Sequence, residues 1–237
     1  EASHAFVPDP LPETMHLEMR TIRLLEDARG SLGELSGGGQ RIVNASLLIR
    51  PFVRREAISS STIEGTITTM EQLSLFEARP SNERSVTSEV ANYTAAMEHG
   101  LARIDAFPIS LRLLCELHEK LMTNVRGDEH VVGDFRTGAV IIGEYGFPLA
   151  EARFVPPPPP EMREALYAFE RFIHRDVDLP VLIKLALIHY QFETIHPFED
   201  GNGRIGRLLI ALQMVEQGLL PGPLLYLSSF FERNRKE

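Results

Sequence analysis

Apolar positions recur every three or four residues along most of the 237-residue chain, which indicates a mainly helical protein. The spacing predicts helices over about 19–35, 51–64, 87–104, 110–124 and 179–195. The last of these is apolar almost all round and therefore belongs in the middle of a bundle. A further helix begins near Gly203 and ends before Gly218, whereas the glycine-rich residues 36–39 are expected to interrupt the first helix.

Three stretches break the helical pattern. Residues 1–20 contain three prolines and are expected to form an extended arm on the surface. Residues 133–155 hold a short β-branched run followed by glycines and a proline, which predicts a β-hairpin or flap. Five consecutive prolines, 156–160, form a stiff spacer into the next helix. No repeat or clear boundary divides the chain, so the predicted fold class is mainly α, with one small β element.

Composition narrows the classes of function. The formal net charge is −9 and the pI about 5.4, so we expect no broad nucleic-acid surface on this segment. No apolar stretch approaches the roughly 18 residues of a membrane span, and the first residues do not resemble a signal peptide. The single cysteine, Cys115, excludes an internal disulfide framework and is expected to be a buried, inert thiol. These features fit a cytoplasmic location.

The loop after the central helix carries a concentrated set of polar groups. His196 ends that helix, and a neutral imidazole can accept a proton near pH 7. Gly201 and Gly203 allow backbone N–H groups to point at an anion, and the next helix adds the positive end of its dipole. Arg204 and Arg207 are three residues apart and project from the same side of its first turn. The combination predicts a phosphate-binding site with a general base.

Phosphoryl chemistry gives each group a role. The arginines neutralise charge on the phosphates, Asp200 holds a magnesium ion, and Phe198 anchors the loop in the core. A packed histidine, a glycine turn and two solvated arginines are the structural alternative. Two arginines at a helix N-terminus, however, gain nothing from the dipole unless an anion is present. A metal site on His189, Glu193 and His196 lacks a second motif of this kind and is disfavoured.

Residues 196–207 (HPFEDGNGRIGR) resemble the defining motif of the Fic (filamentation induced by cAMP) family, H-x-F-x-[DE]-G-N-G-R-x-x-R, at every fixed position. The resemblance extends over most of the chain, through residues 5–8, 47–66, 125–127, 133–137 and 223–235. It implies a Fic-type helical bundle with a β-hairpin flap at about 136–155 and the catalytic loop at 196–207.

This resemblance implies a protein adenylyltransferase. His196 would deprotonate a Tyr, Thr or Ser hydroxyl of a target protein, which attacks the α-phosphate of ATP, and Asp200 would carry Mg²⁺ or Mn²⁺. Nucleotide contacts are implied for Gly201, Asn202, Gly203, Arg204, Gly206, Arg207 and Asn234. The target backbone is expected to pair as an added strand with the flap residues Val140, Ile141, Ile142 and Gly143. Self-modification and a homodimer stay open, and no membrane partner is implied.

A second motif precedes the core. Residues 60–65 (SSTIEG) resemble the family's inhibitory signature, [ST]-x-x-x-E-[GN], and Ser60 and Glu64 share a helical face. The resemblance implies that Glu64 pairs with Arg207 and blocks productive placement of ATP, with Ser60, Glu64 and Gly65 as the regulatory residues. A surface glutamate near a helix C-terminus, at a small cost from the dipole, is the structural alternative. Such inhibition would be intramolecular.

The resemblance leaves other activities open. Phosphate-transferring members carry A-N-K in place of residues 201–203, so transfer of AMP is favoured over phosphate or phosphocholine. Removal of AMP, with Glu64 positioning a water molecule, stays open. So does a latent regulatory module linked to a DNA-binding domain, although we expect that C-terminal extension to be absent. The expected domains are 1–65, the arm and helices that end in the inhibitory motif, and 66–237, the Fic core.

Overall fold

The computed structural model describes residues 4–40, 45–80, 84–125, 131–142 and 152–234. Over these ranges the chain is mainly helical, as predicted. The helices are α1 (Met19–Gln40), α2 (Ala45–Ile63), α3 (Met70–Ala78), α4 (Val86–Ile104), α5 (Leu111–Met122), α6 (Pro159–His174), α7 (Val181–Ile195), α8 (Asn202–Glu216) and α9 (Ser228–Arg233). No helix within the described ranges has the length and apolarity that a membrane crossing requires. The division into domains at 65/66 stays a prediction.

The main hydrophobic core lies among α4, α5, α7 and α8. Helix α4 packs along α5 and also contacts α2, α3 and α8, while α7 packs against α6 and α8. Phe192 and Ile195 of α7 are fully buried, as is Leu208 of α8. The expectation that α7 lies in the middle of the bundle is wrong, because α7 packs on α6 and α8 while Ala186 and Tyr190 remain exposed. Helix α8, which contacts α2, α4, α5 and α7, is the more buried helix. Because α7 ends inside the core, the residue that follows it, His196, starts from a rigid support.

The predicted interruption of α1 at residues 36–39 is wrong, because the helix continues to Gln40. Gly39 is buried, and a Cβ atom there would lie 2.6 Å from Leu224 Cδ1 and 3.2 Å from Pro221 Cγ. Helix propensity disfavours each glycine by about 1 kcal/mol. Close packing of the end of α1 against the 221–224 segment outweighs that preference.

Other helix limits also differ from the sequence pattern. Helix α2 begins at Ala45 and includes Pro51, whereas the pattern starts it at about residue 51. Helix α6 begins at Pro159, so the last two of the five prolines form its first turn, where a missing N–H is not needed. The pattern does not predict α3 or α9. Helix α3 nevertheless has a capping box, in which Thr69 and Gln72 bond each other's backbone N–H groups at 3.0 and 3.1 Å.

The arm and the β element are positioned by a few backbone contacts. Phe6 N–H donates to the Val155 carbonyl at 2.9 Å, and Gln191 Nε2 donates to the Asp9 carbonyl at 3.0 Å. Ile142 and Phe154 form an antiparallel bridge with hydrogen bonds of 2.9 and 3.2 Å. Residues 143–151 lie outside the described ranges, so the hairpin, with Gly143 in it, stays a prediction.

Candidate active site

His196 is the C-cap of α7 and has a left-handed backbone conformation, with φ of 49°. Its backbone N–H donates to the Phe192 carbonyl at 2.9 Å. Its Nδ1 lies 3.3 Å from the Glu193 carbonyl oxygen, and a carbonyl can only accept, so Nδ1 carries the proton. Nε2 is then the acceptor nitrogen. Because the backbone N–H and Nδ1 of His196 are both bound to carbonyl groups of α7, the acceptor Nε2 is held in a fixed place.

Burial lowers the pKa of His196 to about 4. The positive charge of Arg136 acts in the same direction, whereas the hydrogen bond to the Glu193 carbonyl and the carboxylates of Glu64 and Asp200 raise the pKa. The imidazole is therefore neutral at pH 7. A neutral imidazole with Nδ1 protonated is the form that accepts a proton at Nε2.

The loop from Pro197 to Gly201 is fastened by the side chain of Asn202. Its Oδ1 accepts from the Phe198 N–H at 2.9 Å, and its Nδ2 donates to the Phe198 carbonyl at 2.9 Å. The Phe198 ring is fully buried and stacks on the His118 ring, with centroids 3.9 Å apart. Phe198 therefore anchors the loop, as predicted. Since the Asn202 side chain is used within the loop, only its backbone N–H is available for an anion.

Helix α8 begins at the end of this loop, and Gly201 caps it in the left-handed region at φ of 77°. Its first turn carries Arg204, of which only 5% is exposed. One Arg204 nitrogen, Nη2, lies 3.5 Å from Asp200 Oδ2. The other two, Nε and Nη1, are buried without a partner among the described residues. Each such donor costs about 1–3 kcal/mol, so their position at the positive end of a helix indicates an anion site.

Arg207, one turn further along α8, is bound by the end of α2. Its Nη2 donates to Glu64 Oε1 at 2.6 Å and to the Ser60 carbonyl at 3.0 Å, and its Nε donates to Ser60 Oγ at 2.8 Å. Glu64 directly follows α2, and Gly65 has a φ of 83°. The structure thus brings Ser60 and Glu64 to Arg207, which lies 147 and 143 residues further along the chain.

Asp200 is the predicted metal ligand. Its Oδ1 accepts from the Gly201 N–H at 2.6 Å, and its side chain is 55% exposed. The described residues contain no cluster of three His, Cys, Asp or Glu side chains that could hold a metal ion. Mg²⁺ is commonly held by one or two carboxylates together with substrate phosphates and waters. A single exposed carboxylate beside an anion site fits that mode of binding.

The two remaining glycines of the motif leave room for acidic side chains. A Cβ atom on Gly203 would lie 2.4 Å from Glu64 Oε1, and one on Gly206 would lie 2.2 Å from Glu193 Oε1. Burial raises the pKa of Glu193 to about 7, and its Oε1 has no hydrogen-bond partner among the described residues. The structure therefore places Gly206 against Glu193 and His189, and its role toward the nucleotide stays a prediction.

The other predicted residues lie at the edges of the site. Asn234 is the C-cap of α9, and its Nδ2 donates to the Phe230 carbonyl at 2.8 Å. Val140, Ile141 and Ile142 are half-buried. The roles assigned to Asn234 at the adenine and to the flap residues at the target stay predictions. Cys115 is partly buried, and burial raises the pKa of its thiol to about 11.

Sequence reasoning missed three buried residues that support the site. Arg136 is fully buried and donates to backbone carbonyls around His196. His118 accepts from the Gly133 N–H at Nδ1 and donates from Nε2 to the Asp200 carbonyl at 3.1 Å. Glu56 accepts from Ser228 at the start of α9. Most of their contacts join residues that are far apart in sequence, which spacing rules do not detect.

The described residues define a mainly helical bundle in which a neutral His196 caps α7 and Arg204 lies in the first turn of α8. Residues 22–102 match the Fic/DOC family N-terminal model, and residues 108–214 match the Fic/DOC family model. The chain belongs to this family.

Similar proteins carry the name protein adenylyltransferase. The chain is 41% identical over 69 residues to an Aquifex aeolicus protein named a probable protein adenylyltransferase, covering 29% of this chain and 22% of that one. It is 30% identical over 214 residues to the protein adenylyltransferase Fic of Drosophila yakuba, covering 86% of this chain and 40% of that one. The chain thus spans less than half the length of these relatives.

Solved structures share the fold. A Fic family protein from Desulfovibrio desulfuricans G20 superposes with a TM-score of 0.66 at 25% identity, covering 93% of this chain and 65% of that one. A Fic-domain-containing signalling protein from Bacteroides thetaiotaomicron gives a TM-score of 0.67 at 21% identity, covering 91% and 78%. These similarities place most of the chain within the Fic fold.

Proposed function

We propose that the chain is a protein adenylyltransferase that transfers AMP from ATP to a Tyr, Thr or Ser hydroxyl of a target protein. The observation that carries the proposal is Arg204, whose buried Nε and Nη1 lack partners at the N-terminal turn of α8. These donors suit the phosphates of a nucleotide, and His196 follows the neighbouring helix as a neutral base. The names of the relatives supply the identity of the transferred group.

The proposed chemistry uses the two nitrogens of His196 separately. Nδ1–H is held by the Glu193 carbonyl, so Nε2 takes the proton from the acceptor hydroxyl. The hydroxyl oxygen forms a bond to the α-phosphorus, and the bond from that phosphorus to pyrophosphate breaks. Pyrophosphate leaves with the electron pair, and the imidazole keeps the proton. Arg204 and the backbone N–H groups at the start of α8 stabilise the charge on the phosphates.

Asp200 would hold the Mg²⁺ that accompanies ATP. The ion would neutralise phosphate charge, and Mn²⁺ could replace it. The Asp200 carboxylate lies 3.5 Å from Arg204 Nη2, so an ion held by Asp200 and the Arg204 guanidinium would act on the same phosphates.

Inhibition by Glu64 forms the regulatory part of the proposal. Arg207 donates three hydrogen bonds to α2 and the residue after it, so three of its five N–H groups are not available for the γ-phosphate. ATP must displace Glu64, whose side chain is 38% exposed, before Arg207 can bind phosphate. The wild-type protein should therefore transfer AMP slowly. The cytoplasm, where ATP and Mg²⁺ are available, is the proposed location.

The target segment would add to the flap as a strand. Ile142 is bridged to Phe154 on one side, which leaves the neighbouring residues Val140 and Ile141 as the part of this segment that an extended peptide could pair with. The partner is proposed as a protein with an exposed hydroxyl beside an extended segment.

Removal of AMP is the second candidate, because Glu64 lies in the site with a partly exposed carboxylate. A water molecule bound by that carboxylate could attack the phosphorus of the AMP group; the bond from phosphorus to the protein oxygen breaks, that oxygen takes up a proton to become a hydroxyl, and AMP is released. Incubation of AMP-modified protein with the wild type and with Glu64→Gly distinguishes the two reactions, since removal requires Glu64 and transfer does not.

Labelled ATP tests the proposal. The wild type, Glu64→Gly and Glu64→Gly/His196→Ala proteins are incubated with Mg²⁺ or Mn²⁺ and ATP labelled at the α- or the γ-phosphate. We expect protein-bound α-label in Glu64→Gly, less in the wild type and none in the double variant. Glu64→Gln keeps a hydrogen-bond acceptor but removes the charge, so the amount of protein-bound α-label should lie between that of the wild type and that of Glu64→Gly. Transfer of γ-label, or no α-label in Glu64→Gly with either metal, would contradict the proposal.

A further inference from the structure

Arg136 is the largest fully buried side chain in the described part of the protein. Its guanidinium has no carboxylate partner among the described residues and donates instead to four backbone carbonyls. Nε donates to His196 at 2.8 Å, Nη1 to Gly138 at 2.8 Å, and Nη2 to Pro157 at 2.7 Å and Ile195 at 3.3 Å. The backbone N–H of Arg136 also donates to the Pro197 carbonyl at 2.9 Å.

Three of these carbonyls belong to Ile195, His196 and Pro197, which are successive residues. They lie at the C-terminal end of α7 and directly after it, where carbonyl groups have no partner within the helix and the dipole is negative. A buried cation therefore has a physical reason to be stable there without a carboxylate. The left-handed backbone of His196 costs roughly 1–2 kcal/mol for a residue other than glycine and persists only where its surroundings hold it. Arg136 supplies part of that support.

The other two carbonyls lie near the start of the predicted flap, at Gly138, and just beyond its end, at Pro157. Gly138 precedes Val140 by two residues, and Pro157 follows Val155 by two residues. The two ends of the segment that would bind a target therefore meet at the guanidinium that also holds the backbone of His196. Arginine suits this arrangement because its five N–H groups spread over a rigid plane.

We propose that Arg136 is a positioning residue for the transfer reaction, which fixes the backbone of His196 and both ends of the flap as one unit. An acceptor hydroxyl presented by the flap is then held in register with Nε2 of the base. This inference rests on the proposed adenylyltransferase function. Arg136 itself touches neither ATP nor the target.

Kinetics in the Glu64→Gly background test the positioning role. The variants are Arg136→Lys and Arg136→Met, and the matched control is Lys184→Met. Lys184 likewise donates to two carbonyls at a helix end, those of Ile173 and Arg175 at the end of α6, away from the site. We expect kcat for AMP transfer to fall about a hundredfold in both Arg136 variants, since misplacement of about 1 Å can cost that much. The KM for ATP should change less than about threefold, because no ATP contact is removed.

The control decides whether the effect is merely one of stability. Lys184→Met should lower the melting temperature yet keep kcat within about twofold. Unchanged kcat in folded Arg136→Lys would overturn the proposal. So would a loss of kcat in Lys184→Met equal to that in the Arg136 variants at the same loss of stability.

Two readouts do not depend on activity. The His196 ring signal in NMR, assigned by its loss in His196→Ala, should shift in both Arg136 variants. Arg136→Met should also raise the pKa of His196, whereas Arg136→Lys keeps the cation; Asp200 and the Glu193 carbonyl are unchanged in both, and residue 64 is glycine in both and in their Glu64→Gly reference. Amide exchange over residues 138–142 and 152–155 should be faster in both variants. If Glu64→Gly proves inactive, the proposed function fails while these readouts still decide the role of Arg136, and unchanged His196 signals and exchange would refute it.

Discussion

Arg207 Nη2 lies 2.6 Å from Glu64 Oε1, and the same guanidinium bonds both the side chain and the backbone carbonyl of Ser60. Glu64 is 38% exposed, so water weakens its ion pair with Arg207. Ser60 is fully buried, and hydrogen bonds to charged groups are worth more when they are shielded from water. Ser60 and Glu64 therefore both bind Arg207, and the interaction is not due to Glu64 alone.

Ser60→Ala tests this sharing. The change removes the acceptor for Arg207 Nε but leaves Glu64 in place, at a cost of about 1–2 kcal/mol to the inhibited state. We expect faster AMP transfer than in the wild type by roughly tenfold, and slower transfer than in Glu64→Gly. The measurement is the initial rate of labelling from α-labelled ATP. Ser59→Ala, on the same helix without a bond to Arg207, is the control, and an equal effect of the two changes would contradict the explanation.

His118→Phe tests the support of the catalytic loop. Phenylalanine keeps the stacking on Phe198 but leaves the Gly133 N–H and the Asp200 carbonyl without their partner. We expect a loss of about 2–4 kcal/mol in the free energy of unfolding, measured by urea denaturation. Phe135→Leu, which changes another ring near Phe198 without removing a hydrogen bond, provides the comparison. A loss below about 0.5 kcal/mol for His118→Phe would show that these hydrogen bonds do not support the loop.

Glu193→Gln tests a pH dependence. The pKa of Glu193 is about 7 in the folded protein, mainly because of burial, against an ordinary value of 4.5. Between pH 4.5 and 7 the folded protein keeps a proton that the unfolded chain has lost, so raising the pH over this window lowers stability. Glutamine cannot ionise, so the stability of Glu193→Gln relative to the wild type should rise from pH 5 to pH 8.

The expected rise is about 1–2 kcal/mol, because a third of the Glu193 side chain is exposed and solvent reduces the effect. Thermal unfolding at several pH values measures it. His189, whose pKa burial lowers to about 4, acts in the opposite direction but is present in both proteins. A constant difference between the two proteins from pH 5 to pH 8 would mean that Glu193 is ionised throughout.

Gly206→Ala tests the close approach of the same carboxylate to α8. A Cβ atom there would lie 2.2 Å from Glu193 Oε1, so the side chain must move. We expect Gly206→Ala to lose about 1–3 kcal/mol of stability, as overpacked cores do, and Glu193→Ala to recover most of that loss in the double variant. Denaturation of the four proteins of this cycle gives the coupling energy. Additive effects would rule out the contact.

The candidate residues of the 196–207 loop could be recognised from the sequence because they lie close together in it, and their catalytic roles stay predictions. His196, Asp200, Arg204 and Arg207 lie within twelve residues, and helix geometry alone places the two arginines together. The pairing of Glu64 with Arg207 could not be predicted from residue spacing, because the two residues lie 143 positions apart in sequence. It followed from the family resemblance, and the contact is present in the structure.

The supporting residues could not be predicted, because their partners are mostly backbone groups. Arg136 and His118 bind carbonyl and N–H groups of distant segments, and any residue type can supply such groups. The same reason explains the error at residues 36–39, where contact with the 221–224 segment decides whether the glycines stay helical. Tertiary contacts of this kind leave no local signature in the sequence.

Intact-protein mass spectrometry tests the central claim most directly. The wild type, Glu64→Gly and Glu64→Gly/His196→Ala proteins are incubated with ATP and Mg²⁺, alone and with a cell extract as the source of targets, and the masses are followed over time. The account predicts that AMP is added to the protein itself or to a target by Glu64→Gly, more slowly by the wild type, and not at all by the double variant. AMP addition at the same rate in the wild type and Glu64→Gly would contradict inhibition by Glu64, and AMP addition that persists without His196 would contradict its role as the base.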